Sequence, residues 1–190
     1  MEALKERILR DGENLGRGIL KVDSFVNHQV DPALMIEAGK ELAERFADCG
    51  ATKVLTAEIS GIAPALTTAL SLGVPLIYAR KTKPVTMTEP VYVEAAPSHT
   101  KGVSVFLMCS PEFLTPEDRI LIIDDFLASG QTIQALVRMV RHAGAELVGI
   151  GALIEKAFEG GRQELGSLGI PLEALAVIGE MTDSQIVFAE

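Results

Sequence analysis

Asp124 and Asp125 stand side by side at the end of an apolar run, and a loop of small and hydroxyl residues follows them in "ILIIDDFLASGQT", residues 120–132. Ala128, Ser129 and Gly130 let a backbone approach a ligand closely, and Ser129 and Thr132 add hydroxyl donors. Gln131 completes a stretch that leads into a helix, whose first amides lack internal acceptors and attract an anion such as phosphate. Two carboxylates beside a phosphate would repel it, so they must serve another part of the ligand. A carboxylate accepts hydrogen bonds from ribose hydroxyls, so acids next to a phosphate loop suit a ribose that carries a phosphate. The loop alone says less, since Gly130 can simply permit a turn and Thr132 can simply cap a helix. Neither G-x-x-x-x-G-K-[ST] nor G-x-G-x-x-G occurs, which sets the common nucleoside triphosphate and dinucleotide sites aside.

A site of this kind needs a strand end facing a helix start, and the flanking sequence supplies both repeatedly. Residues 2–11 carry Leu4, Ile8 and Leu9 at helical spacing among charges. Residues 12–31 have no helical period and form either a hairpin or an irregular cover. Asp31-Pro32 opens a second helix, with the acid able to cap free amides and proline tolerated in the first turn, and the pattern lasts to Cys49-Gly50. "TKVLTAEI", "SGIAPALTTALSLG" and "VPLIYARK" then form a strand-helix-strand unit. "VSVFLMC" and "RILIID" predict further strands. A helix over 132–143, the strand "ELVGIGALIE", a short helical piece and "LEALAVIGEM" follow. Apolar strands alternating with helices predict an α/β fold with a mostly parallel sheet covered on both faces. Ligands of such sheets lie outside the carboxyl ends of the strands, where the acid pair falls. Residues 82–101 contain three prolines and little period, which suits a functional lid.

Bulk composition narrows the setting. With 190 residues, 48% hydrophobic and 23% charged, the chain fits one compact domain over 1–190. A net charge of -9 argues against sequence-independent nucleic-acid binding. The charged N-terminal stretch does not resemble a signal peptide, and no apolar run is long enough to span a membrane, so a cytoplasmic protein is expected. Cys49 and Cys109 are expected as reduced thiols, and His28, His99 and His142 as structural or surface residues. No metal motif is present.

The segment Ile120–Thr132 resembles the signature of the type I phosphoribosyltransferases, which act on phosphoribosyl pyrophosphate. The resemblance implies that residues 128–132 cradle the 5-phosphate and that Asp124 and Asp125 engage the ribose hydroxyls, holding the developing positive charge of an oxocarbenium-like state. It also implies pyrophosphate contacts from Ser60 and Gly61 in "AEISGIAPA" and from Arg80 and Lys81 in "YARK", and a mobile catalytic loop after Lys81. Magnesium would bind mainly through the substrate. "MEALKERI", "GRGILKVDSFVNHQVDP" and "LIEKAFEGG" extend the likeness over essentially the whole chain to the purine members that act on xanthine. On that likeness Leu20 and Asn27 cover the base, together with residues 12–31 and the C-terminal segment, Lys156 contacts it, and the protein is a homodimer. Xanthine carries carbonyl oxygens at positions 2 and 6, which reward the donors Asn27 and Lys156, while Phe158 or Phe126 could stack on its ring. The loop "ASGQT" departs from the Gly-rich or Asn-containing forms of the group. Two rivals remain: a relative preferring guanine, hypoxanthine or adenine, and a regulator that senses the sugar phosphate without turning it over.

Overall fold

The computed structural model describes residues 1–97, 104–182 and 185–189. Helix α1 (Glu2–Asp11) buries Leu4 and Ile8, one turn apart. Strands β1 (Glu13–Asn14) and β2 (Leu20–Lys21) pair as an antiparallel hairpin, and a π-helical turn covers Asp23–Asn27. Asp31 caps α2 (Pro32–Arg45) by accepting from the N–H groups of Ala33 and Leu34 at 3.1 and 3.2 Å. That helix stops at Arg45, short of the Cys49-Gly50 that the sequence pattern reaches.

Strand β3 (Lys53–Ala57), helix α3 (Ile62–Leu72) and strand β4 (Leu76–Ala79) follow, then β5 (Tyr92–Pro97) and β6 (Ser104–Cys109). Next come β7 (Arg119–Leu127), α4 (Gln131–His142), β8 (Glu146–Lys156), a short 3-10 turn over Ala157–Glu159, α5 (Gly161–Gly166), β9 (Leu172–Met181) and β10 (Ile186–Phe188).

The main sheet has the order β10-β9-β8-β7-β3-β4, with β10 antiparallel to β9 and every other neighbouring pair parallel. Strand β7 shows why apolar runs build its centre. Ile120 and Ile122 join the core beneath α4, whereas Leu121 and Ile123 join the core beneath α1 and α2. Alternate residues face opposite layers, so a strand covered on both sides must be apolar throughout. From β3 the chain moves outward to β4, then returns across β3 to β7 and continues to β8 and β9. The order therefore reverses between β3 and β7, and the crevice at their carboxyl ends is where a ligand fits such a sheet.

Two expectations about the connecting segments need correction. "VSVFLMC" does not enter the main sheet; β6 pairs with β5 in a separate antiparallel hairpin running from Tyr92↔Cys109 to Pro97↔Ser104. Only one side of this hairpin is buried, with Leu107 and Cys109 inside and Phe106 half exposed, so the continuous apolar run overstated its burial. Residues 82–101 are accordingly not irregular throughout. Residues 92–97 are strand, tied to α4 by Arg138, which donates to Glu94 and to the Ala95 carbonyl. The end of that expected lid, 98–101, and His99 lie outside the described residues.

At the centre of the α2 layer Phe46 sits on a glycine strip of β8. A Cβ at Gly149 or Gly151 would come within 2.7 and 3.0 Å of its ring, so the ring and the two glycines fit as one unit. Phe46→Ala is expected to lower stability by about 3–5 kcal/mol, because the rigid strand cannot fill the cavity. Urea unfolding with an unchanged m-value and a lower midpoint would show it, and an unchanged midpoint would refute this packing.

Candidate functional site

Strand β7 carries Asp124 and Asp125 to the sheet reversal. Asp124 is buried and Asp125 half-buried, and the Asp125 N–H donates to Asp124 Oδ1 at 3.0 Å. Burial drives the Asp124 carboxyl well above the ordinary carboxylate range, and the adjacent Asp125 charge adds to the effect. Burial raises Asp125 as well. The turn between β3 and α3 presses on the same acid. A Cβ at Gly61 would lie 2.6 Å from Asp124 Oδ1 and 2.2 Å from Thr56 Oγ1, so only glycine allows the turn to close this tightly. The Thr56 hydroxyl is itself fully buried and has no hydrogen-bond partner among the described residues.

Past the acids the chain turns at Gly130, whose φ of 78° is left-handed, and enters α4 at Gln131. Thr132 does not cap this helix; no side chain does, so the first amides keep free hydrogen-bonding capacity. Asp124, Asp125 and residues 128–132 border one cavity of about 870 Å³. Lys81 borders it too, its N–H held by Glu58 Oε1 at 2.5 Å.

The other side of the cavity is closed by the N-terminal hairpin. Lys156 Nζ donates to the Gly18 carbonyl at 2.7 Å, lies 3.4 Å from Glu159 Oε1 and sits 5.4 Å from the centre of the Phe126 ring. Phe158 packs against Gly18, since a Cβ there would be 3.2 Å from the Phe158 ring. Asn14 Nδ2 donates to the Thr182 carbonyl at 2.5 Å, which fastens the hairpin to the C-terminal segment. Lys156, Phe126 and Phe158 therefore meet in one wall of this cavity.

Other expected residues are placed differently. Arg80 pairs with Glu58 at 2.8 Å, exchanges backbone hydrogen bonds with Met108 and borders a separate cavity of about 600 Å³ beside Tyr78. Ser60 is not part of the main cavity lining, and Gly61 touches that site through Asp124. Leu20 is buried in the α1–α2 core. Asn27 also stands behind the lining, with its Oδ1 buried and without a hydrogen-bond partner among the described residues.

The lining also contains Arg17, Ile19, Glu159 and Met181, together with Val105 and Leu107 of the β5–β6 hairpin, none of which the motifs single out. Arg17 had a local signal: it stands between two glycines and adopts a left-handed φ of 52°. The hairpin residues had none, because their place depends on a strand pairing outside the main sheet.

An acid pair at the sheet reversal, followed by an uncapped helix start, stands in an α/β protein at the crevice where such sheets take their ligands. The chain belongs to the phosphoribosyltransferase family, its residues 31–164 matching the family model described as "Phosphoribosyl transferase domain". More particularly, it is 50% identical over 188 residues to the xanthine phosphoribosyltransferase of Lactobacillus delbrueckii subsp. bulgaricus, an alignment spanning 99% of this chain and 100% of the relative. It is also 50% identical over 190 residues to the xanthine phosphoribosyltransferase of Deinococcus deserti, spanning 100% and 98% of the two chains. Among solved structures, the adenine phosphoribosyltransferase of Thermoanaerobacter pseudethanolicus superposes with a TM-score of 0.75 at 22% identity, covering 93% of this chain and 98% of that one. That of Giardia lamblia, complexed with 9-deazaadenine, gives 0.76 at 22% identity over the same shares. These two likenesses show the fold. No helix among the described residues is long and apolar enough to cross a membrane, and both cysteines are free thiols.

The buried acid has a consequence for stability. Above about pH 4 an unfolded Asp124 ionises readily, while the folded one resists, so this residue subtracts stability as pH rises from there toward its folded pKa. Asp124→Asn is expected to raise the Tm of the ligand-free protein by about 2–6 °C at pH 7.5, and by less at pH 5. Calorimetry at both pH values tests the sign, and an equal change at both would remove ionisation of Asp124 as the cause.

Proposed function

We propose that this protein transfers the 5-phosphoribosyl group of phosphoribosyl pyrophosphate to N9 of xanthine, giving xanthosine 5'-monophosphate and pyrophosphate. The observation that carries this reading is the convergence of the acid pair, the loop 128–132 and the Lys156 wall on one cavity, in a chain half identical to xanthine phosphoribosyltransferases along its whole length. N9 bonds to C1 of the ribose as the bond from C1 to pyrophosphate breaks, and the N9 proton leaves. The loop amides hold the 5-phosphate at one end of the sugar. Asp124 and Asp125 accept from its 2- and 3-hydroxyls and oppose the positive charge that develops on the ring. Lys81 takes the pyrophosphate from the cavity wall, the turn at Ser60 and Gly61, outside the main lining, joins it only by a shift, and Arg80 only by releasing Glu58.

Lys156 donates to a carbonyl oxygen of xanthine, Phe158 or Phe126 stacks on its rings, and Asn27, which is not in the lining, reaches the base only by a shift of the hairpin. Lys156 keeps an N–H for this while it holds Gly18. The hairpin over 12–31 and the C-terminal segment form the cover of the base, and Leu20 supports it from beneath. The β5–β6 wall excludes water from the reacting centre.

The donor set suits a magnesium ion that arrives with the substrate. Among the described residues no group of three His, Cys, Asp or Glu could hold a metal, whereas the carboxylates of Asp124 and Asp125 stand where the ribose would lie. When bound, magnesium would neutralise charge on the departing pyrophosphate. The protein works in the cytoplasm as a homodimer on this reading; Leu66 and Leu70, one turn apart on α3 and both exposed, suit a second copy.

The direct test is to incubate the pure protein with phosphoribosyl pyrophosphate and magnesium and compare nucleotide formation from xanthine, guanine, hypoxanthine and adenine. Xanthine should react best; preference for another purine removes the roles of Asn27 and Lys156, and no product from any of them overturns the proposal. Lys156→Ala is expected to lower kcat/KM for xanthine about 10- to 100-fold more than for hypoxanthine, a charged hydrogen bond being lost. Equal loss for both bases would remove Lys156 from selectivity. Asp125→Asn should lower kcat by about 10²-fold or more, whereas Asp124→Asn should act mainly on the KM for phosphoribosyl pyrophosphate. Steady-state kinetics separates the two, and ordinary constants in both variants would refute these roles.

A further inference from the structure

The loop over 128–132 has a second side, and the start of α5 is fitted against it. The Gly161 N–H donates to the Ala128 carbonyl at 3.0 Å. A Cβ on Gly161 would stand 2.2 Å from that carbonyl oxygen, 2.8 Å from the Gly130 nitrogen and 2.9 Å from Leu127 Cδ1. The first two are backbone atoms of the loop itself, so the loop would have to move. From the other side the contact is ordinary: a Cβ on Gly130 would lie 3.4 Å from Gly161 Cα and 3.6 Å from Leu165 Cδ1, so there the left-handed φ, not space, favours glycine. Gly161 is buried, and so is Leu165.

What fixes Gly161 is the next residue. Arg162 forks onto Glu155, Nε to Oε1 at 2.7 Å and Nη2 to Oε2 at 2.5 Å, and its Nη1 donates to the Leu172 carbonyl at 3.0 Å. Glu155 is 1% exposed and lies opposite Leu127 in the pairing of β8 with β7. A buried carboxylate held by two parallel N–H bonds sets orientation as well as distance. The chain from β8 to α5 is thereby clamped at the level where β7 gives way to the loop. The 5-phosphate site thus has a floor, made of Gly161 and held by the Arg162–Glu155 pair.

We propose that Gly161 is a positioning residue that sets the loop 128–132 in its anion-receiving shape before substrate arrives, with Arg162 and Glu155 holding Gly161 in place. The inference rests on the proposed role of that loop and adds residues that touch neither substrate. Gly161 acts by occupying so little space that the Ala128 carbonyl can turn back toward α5, away from the cavity. Carbonyl oxygens directed into an anion site would repel its phosphate, so preorganisation here serves sugar-phosphate binding rather than base binding.

The test compares the unsubstituted protein with Gly161→Ala and Arg162→Lys, the latter keeping the charge while losing the planar fork. Calorimetry measures the affinity for ribose 5-phosphate, and kinetics measures KM for phosphoribosyl pyrophosphate and for xanthine separately. Gly161→Ala should weaken ribose 5-phosphate and raise KM for phosphoribosyl pyrophosphate about tenfold or more, with KM for xanthine changed less than about twofold. Arg162→Lys should shift the same two constants in the same direction by a smaller factor, and it decides the matter if Gly161→Ala is insoluble. Unchanged ribose 5-phosphate affinity in a soluble variant overturns the proposal, as does a parallel loss for xanthine. An unsubstituted protein that neither binds ribose 5-phosphate nor forms nucleotide would overturn the reading of the loop itself, a failure visible before any substitution is made.

Discussion

The burial of Asp124 is the constraint around which the rest of the site is arranged. A carboxyl at the end of the central strand, covered by the β3–α3 turn, is a poor choice for stability, because the N–H it receives from Asp125 replaces only part of the water it has lost. Its place follows from topology. The two strands that flank the reversal are both interior to the sheet, and the crevice at their carboxyl ends is where a ligand fits such a sheet. A polar group put there is buried by the fold and exposed to the cavity together. Gly61 and the unpartnered Thr56 hydroxyl show how closely the neighbouring turn is drawn in.

The cavity is enclosed by elements that do not belong to the sheet. On one side stands the N-terminal hairpin, fastened by Lys156 to Gly18 and by Asn14 to Thr182. On another stands the β5–β6 hairpin, seated on α4. Both are short, and two-stranded hairpins have little stability of their own. Buried residues, Leu20 in the first and Ala96, Leu107 and Cys109 in the second, seat them on the layer below together with a few side-chain bonds. A sheet floor with walls built from separate hairpins encloses the cavity from several sides, which helps to keep water out.

Charge is distributed with equal economy. The chain is acidic overall, yet Lys81, Lys156 and Arg17 all border the cavity. Arg80, adjacent to Lys81, is turned to Glu58 and faces a different hollow. Just past the end of β4, Arg80 is fixed by its backbone bridge to Met108 and its pairing with Glu58, while Lys81 is left to face the cavity.

Much of the fold and the centre of the site follow from sequence alone, for local reasons. The double-sided apolar pattern of β7, the Asp31-Pro32 helix start, and the acid pair leading into "FLASGQT" are set by residues within a few positions of each other, and periodicity with capping chemistry suffices to find them. Family resemblance extends this to Lys156, which does stand in the cavity wall. What sequence could not supply was pairing over long separations. That "VSVFLMC" leaves the main sheet depends on Tyr92–Pro97 forming its partner strand. That Arg80 turns away depends on Glu58 in another strand-end turn. That Asn27 and Leu20 stand behind the cavity wall while Arg17 and Ile19 form it depends on how the hairpin lies on β8. The glycine at 161 looks like an ordinary helix start in the sequence; only the approach of a loop some thirty residues earlier shows why a side chain has no room there. Periodicity and local chemistry determined the elements and the acids, while closeness between distant segments was decided by the packing of the whole chain.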